Sequence, residues 1–292
     1  MSSFSIRLER KAEALLRGDG TSVTIIRPSK GGISLNFKEL VEYRELLYFL
    51  VWRDVKVRYK QTAIGASWAI LQPVMLMVVL SVVFGWLAKL PTEGIPYPIF
   101  AFSALLPWQL FSGALTASGN SIVANQQLIT RVYFPRLIIP LSAVLAGLLD
   151  FIIAFFILLG LMVFYGVSPS WATLSLPLFV LFALASALAV GIWLSALNVH
   201  YRDVRHIIPF LTQFWLFATP IAYSSSMIPE PWRVLYGLNP MAGVVEGFRW
   251  ALLGRSGGMG PMMVVSALVV AGLLVGGLVY FRRMERTFAD VI

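Results

Sequence analysis

Cysteine is absent from the 292-residue chain, and histidine occurs only twice, at His200 and His206. Disulfides, thiolate chemistry and cysteine metal sites are therefore excluded, although the compartment is not settled by this. The two histidines flank Arg202-Asp203 with no HExxH-like spacing, so no metal site is expected. Charge is scarce too. Asp, Glu, Lys and Arg make up 13% of the residues, well below the ~25% of a soluble domain. No GxxxxGK[S/T] motif occurs, which removes a Walker-type nucleotide cradle, and no Ser-His-Asp arrangement is suggested. Residues 1–30 are polar and basic and lack the apolar centre of a cleavable signal peptide.

What the chain has instead is long apolar runs. Six of them, 68–88, 99–118, 137–165, 174–199, 207–223 and 262–281, approach the ~20 residues needed to cross a ~30 Å hydrocarbon core. The expected fold is an all-α integral membrane protein with six transmembrane helices. Hydrophobic residues form 58% of the chain, and the remaining loops leave no room for a separate soluble enzyme.

The net charge of +9 is unevenly placed. If both termini are cytoplasmic, only Lys89, Arg233, Arg249 and Arg255 of the 23 Lys and Arg fall on the outer side. The positive-inside rule thus predicts a multi-pass protein with both termini in the cytoplasm. The cations read as topology determinants and anionic-lipid contacts rather than as a nucleic-acid surface.

Residues 1–35 form a turn-rich cytoplasmic lead-in, with a possible short strand at Val23–Ile26. Asn36 is a candidate N-cap with Glu39 three residues on. Leu40, Tyr43, Leu47 and Leu50 then recur at helical spacing, which predicts an amphipathic helix over 36–60 lying on the cytoplasmic interface, apolar face in the lipid. The alternative is a helix packed on a partner. Arg53, Lys56, Arg58 and Lys60 follow directly. They anchor the first span by snorkelling, and they also suit a lipid phosphate or diphosphate at a cytoplasmic entrance.

Pro73, Pro107, Pro140, Pro177, Pro209 and Pro220 lie in or beside the spans, which points to kinked helices whose freed carbonyls find other donors. Between the fifth and sixth runs, 232–238 and 241–253 are too short to cross and are broken by Asn239-Pro240. They are expected to dip back into the membrane from outside as a re-entrant helix pair, with Glu246 and Arg249 three apart and able to pair. Asp150 is the acid placed well inside an apolar run; a helix–helix hydrogen bond or a water-facing position is expected rather than proton relay. Trp68, Trp86, Tyr165, Trp171 and Tyr223 fit interfacial belts. Trp108, Phe111, Phe214, Trp215 and Phe217 lie mid-run, where they serve either packing or a sugar-stacking path.

Three blocks, LVWRDVKVRYKQTAIGASWAILQP, NVHYRDVRHIIPFLTQFWLFATPIAYSSSMIP and LNPMAGVVEGFRWALLG, occur in this order. With them the chain resembles the membrane subunit of ABC-2 type (type V) exporters over residues 36–288, and within these the polysaccharide branch of O-antigen, capsule and teichoic-acid permeases. The resemblance implies a homodimer in the bacterial cytoplasmic membrane, joined by two copies of a separate subunit that binds ATP and Mg. The permease itself would hold no cofactor and catalyse no reaction. Its substrate would be a polyprenyl-diphosphate-linked glycan, moved from the cytoplasmic to the external face. Residues 36–60 become the interface helix and gate. Gln126, Arg131 and Arg136 would lie in a first coupling segment (125–136), and Tyr201, Arg202 and Asp203 in a second. Trp232, Asn239, Pro240, Glu246 and Arg249 would belong to an external gate. The competing readings are an ABC-2 exporter of a small molecule or lipid, a membrane-embedded polyprenyl-phosphate transferase, and a proton-coupled flippase.

Overall fold

The structure is a computed structural model that describes residues 37–60, 65–168, 170–254 and 260–288. The lead-in, its strand and the Asn36 cap lie outside the described residues. Those described contain helices and no strand.

Five helices are long and apolar enough to cross a membrane: Ser67–Leu87, Tyr97–Ala124, Ile138–Phe164, Trp171–His200 and Pro261–Met284. They comprise α3 (Gly65–Leu80, continued by a π-helical stretch Ser81–Leu87), α4 (Tyr97–Ala124), α6 (Ile138–Ala146) with α7 (Leu148–Phe164), α8 (Leu176–His200) and α12 (Pro261–Met284). Trp68 and Trp86 lie near the two ends of the first of these helices, and both are exposed.

The fifth run departs from expectation. It forms α9, Val204–Ala218, of 15 residues, or roughly 22 Å. Thr219 is extended at φ −103°, ψ 141°. Pro220 explains this, because proline clashes with a helical residue before it.

Helix α4 is the hub, with most of its length buried. Small residues let α8 approach it closely. A Cβ on Gly191 would stand 2.5 Å from Ser118 Oγ, and one on Gly119 3.3 Å from Leu194 Cβ. Such close contact is how helices associate where lipid offers no hydrophobic drive. Asn198 Nδ2 adds bonds to Gly119 O at 3.0 Å and Asn120 Oδ1 at 3.1 Å. Trp193 of α8 stacks on Tyr280 of α12 and donates to Leu273 O at 2.9 Å.

The N-terminal helix is divided at Tyr43 into α1 (Phe37–Glu42) and α2 (Arg44–Lys60). Leu40, Tyr43 and Leu46 pack on the apolar cluster formed by Ile129, Phe134, Leu137, Val199 and Phe281, and Leu50 is buried. That stripe therefore faces the end of the bundle, where the sequence reading turned it toward lipid. Burying it against neighbouring helices removes its apolar surface from water without exposing backbone. The other face, Tyr48, Phe49, Trp52 and Val57, remains exposed.

Candidate functional site

Two ends of the bundle carry polar groups. At the end reached by Tyr97, the chain after α9 is irregular, and its carbonyls need donors that lipid cannot supply. Two short helices provide them, α10 (Glu230–Tyr236) and α11 (Pro240–Leu253). Ala218 O accepts from Tyr236 Oη and from Asn239 Nδ2. Arg249 Nη1 donates to Pro220 O at 2.6 Å and Tyr223 O at 3.1 Å, and its Nη2 to Ile221 O at 2.7 Å. Tyr97 Oη serves Ala222 O at 2.7 Å. Asn239 also caps α11 through Met241 N and receives Trp215 Nε1 at 2.7 Å. The expected short helix pair is therefore present and fastens a broken segment.

The residues named for an external gate separate accordingly. Trp232 is exposed, whereas Pro240, Glu246 and Arg249 are buried among α11's neighbours. The expected Glu246–Arg249 ion pair does not form. Arg249 turns to carbonyls and lies over Phe100 with 3.7 Å to the ring centroid, and Glu246 Oε1 has no hydrogen-bond partner.

At the opposite end, a short helix α5 (Gln126–Arg131) follows α4. Ile129 anchors it in the same apolar cluster as Val199 at the end of α8. Gln126 and Arg131 are exposed on it, as are Tyr201, Arg202 and Asp203 beyond α8. The two expected coupling segments thus stand on one core at one end. Arg136 differs from them. Its Nη1 donates to Glu285 O, its backbone N donates to Glu285 Oε1 at 3.2 Å, and its guanidinium lies 5.9 Å from the Phe288 ring, so it ties down the C-terminal segment.

The four cations of α2 do not converge. Arg53 donates to Asp54 and, at 2.8 Å, to Asn125 Oδ1 at the end of α4. Lys56 lies 4.2 Å over the Trp52 ring, and Lys60 is exposed. Arg58 faces elsewhere, because five residues turn a helix by roughly 140° beyond one revolution. Its Nη1 meets Asp150 Oδ2, and Tyr59 Oη meets Asp150 Oδ1. Burial, and then the bond to Asp150, push the Tyr59 phenol above its ordinary range, so it stays a proton donor. Asp150 is half-exposed and paired to another helix, as its placement in an apolar run requires.

This triad stands at a cavity of about 760 Å³ bordered by α2, α3, α4 and α7. Trp68, Pro73, Leu110 and Phe151 contribute apolar surface, and Gln72, Gln109 and Ser112 polar groups. No motif signalled it. Arg58 and Asp150 are 92 residues apart, and their meeting depends on α2 running along α6.

The mid-run aromatics also separate. Trp108 and Phe111 are buried in the core, centroids 5.4 Å apart, with Phe111 edge-on to Trp215 at 5.1 Å. Their burial matches the packing role, one of the two that their place in the sequence left open. Phe214 and Phe217 are exposed on α9 with Ile207 and Phe210. Among the described residues no group of His, Cys, Asp and Glu could hold a metal ion.

Comparison with known proteins adds the following. The profile of the ABC-2 type transporter family matches residues 45–253. An O-antigen export system permease protein of Myxococcus xanthus is 33% identical over 87% of this chain and 98% of its own length. One of the same description from Klebsiella pneumoniae is 29% identical over 89% of this chain and 100% of its own length. A polysialic acid transport protein of Escherichia coli is 28% identical over 81% of this chain and 92% of its own length.

Proposed function

The chain belongs to the ABC-2 type transporter family, and from that premise we propose that it is the permease subunit of an ATP-driven exporter of a polyprenyl-diphosphate-linked polysaccharide. The observation that carries this reading is likeness along nearly the whole length to proteins described as O-antigen export permeases and a polysialic acid transport protein. In this reading the chain is a homodimer in the bacterial cytoplasmic membrane, with both termini in the cytoplasm. ATP and Mg belong to a separate subunit. Gln126, Arg131, Tyr201, Arg202 and Asp203 form the surface on which that subunit docks, because they are exposed around one apolar anchor.

Lys56, Arg58 and Lys60 attract the anionic headgroup at the cytoplasmic side. Helices α10 and α11 close the external end. Phe210, Phe214 and Phe217, exposed along α9, offer apolar rings of the kind on which sugars stack.

The test is depletion of the chain in its own cell, followed by mass spectrometry of extracted polyprenyl lipids. Accumulation of a diphosphate-linked glycan with its loss from the surface is expected. An unchanged surface and no accumulation would overturn the polysaccharide reading and favour a small-molecule or lipid exporter.

A further inference from the structure

The cavity beside Asp150 has a composition that the export reading does not by itself explain. Its volume, about 760 Å³, is that of a small-ligand site. Carbon surface from Trp68, Pro73, Leu110 and Phe151 suits an alkyl or isoprenoid chain. Two cation or hydroxyl donors, Arg58 Nη1 and Tyr59 Oη, converge at its edge on a single carboxylate. Gln109 also lines the cavity, and its Nε2 is buried without a hydrogen-bond partner. A donor left unmet in an apolar span is costly unless an acceptor arrives.

We propose that this cavity receives a lipid phosphate or diphosphate, and that Asp150 holds the Arg58–Tyr59 donor pair as an internal stand-in for that group. The inference rests on the proposed lipid-linked substrate and names where its headgroup is read. Guanidinium binds carboxylate and phosphate with the same fork geometry, so one can replace the other. A phosphate brings more oxygens and more charge than Asp150 does, and an extra oxygen can accept a hydrogen bond from Gln109 Nε2. Asp150 is half-exposed, so once released it can be hydrated. Release also unties α7 from α2, linking occupancy of the cavity to the position of the N-terminal helix.

An internal competitor lowers apparent affinity by the fraction of time it holds the site. If Asp150 is engaged about nine-tenths of the time, removing its charge tightens binding about tenfold. The experiment is an equilibrium titration of the purified full-length chain in neutral detergent, with farnesyl diphosphate as probe. Asp150→Asn is expected to bind about tenfold more tightly than wild type, and Arg58→Ala at least about tenfold more weakly. Gln109→Leu, which leaves the triad intact, is expected to weaken binding severalfold. Unchanged or weaker binding by Asp150→Asn overturns the stand-in role, and should that variant not fold, Asp150→Ser is read in its place. Unchanged binding by both Arg58→Ala and Gln109→Leu overturns the site.

Competition by phosphatidylglycerol separates the sources. Equal competition assigns the cavity to ordinary anionic headgroups, and failure to compete assigns it to isoprenoid diphosphates. If no variant binds the probe while depletion still strips the surface glycan, the cavity inference fails and the export reading stands. If binding follows the pattern and depletion leaves the surface unchanged, the reverse holds.

Discussion

The guanidinium of Arg249 lies over the ring of Phe100 at 3.7 Å and reaches past it to three backbone carbonyls of the 220–223 segment. A fully buried cation is tolerated here because its charge meets oriented dipoles and an aromatic face. In exchange, a stretch that Pro220 bars from helix has its carbonyls satisfied. The arrangement explains how an irregular segment can sit in a membrane protein next to α4.

Arg249→Met is therefore expected to lower stability by at least about 3 kcal/mol, since several carbonyls lose charge-assisted bonds worth about 1.5–3 kcal/mol each. Arg249→Lys keeps the charge but not the fork, and should recover only part of the loss. Thermal unfolding of the detergent-solubilised chain measures both. A Met variant as stable as wild type would show that water satisfies these carbonyls instead.

Close packing sets a second expectation. A Cβ on Gly247 would stand 2.1 Å from Phe179 Cε1, inside any van der Waals contact. Gly247→Ala should cost roughly 1–3 kcal/mol through overpacking. Combining it with Phe179→Leu should cost less than the sum of the two single changes, because the smaller side chain vacates the space that the methyl needs. Full additivity in the thermal midpoints would refute the clash.

The proposed docking surface is testable without disturbing the fold. Tyr201 and Arg202 are exposed, so Tyr201→Ala and Arg202→Glu should leave yield and thermal midpoint unchanged. Export of surface glycan should fall roughly tenfold, the effect of about 1.4 kcal/mol of lost contact energy. Normal export by the double variant would remove this loop from the coupling surface.

Much of this protein is legible in its sequence, for reasons of scale. A span is a property of some twenty consecutive residues, so hydropathy alone locates Ser67–Leu87, Ile138–Phe164 or Pro261–Met284. Asn239-Pro240 marked the start of α11 because the cap and the proline act within one helical turn. Trp68 and Trp86 announced the limits of the first span in the same way.

Tertiary structure decided what depends on facing. Periodicity showed that Leu40, Tyr43 and Leu50 share a stripe, but lipid and a neighbouring helix are equally apolar, so only packing could choose between them. Charge count grouped Arg53 with Arg58, and helical rotation sent one to Asn125 and the other to Asp150. Likewise, Trp108 and Phe214 are both aromatic with similar surroundings in sequence, yet one fills the core and the other stands exposed. Local chemistry acts over a few residues and is written in their order. Contacts between residues 72 or 92 apart exist only once helices have docked, and that docking is what assembled the cavity, the buried arginine and the apolar cluster that joins α5 to the end of α8.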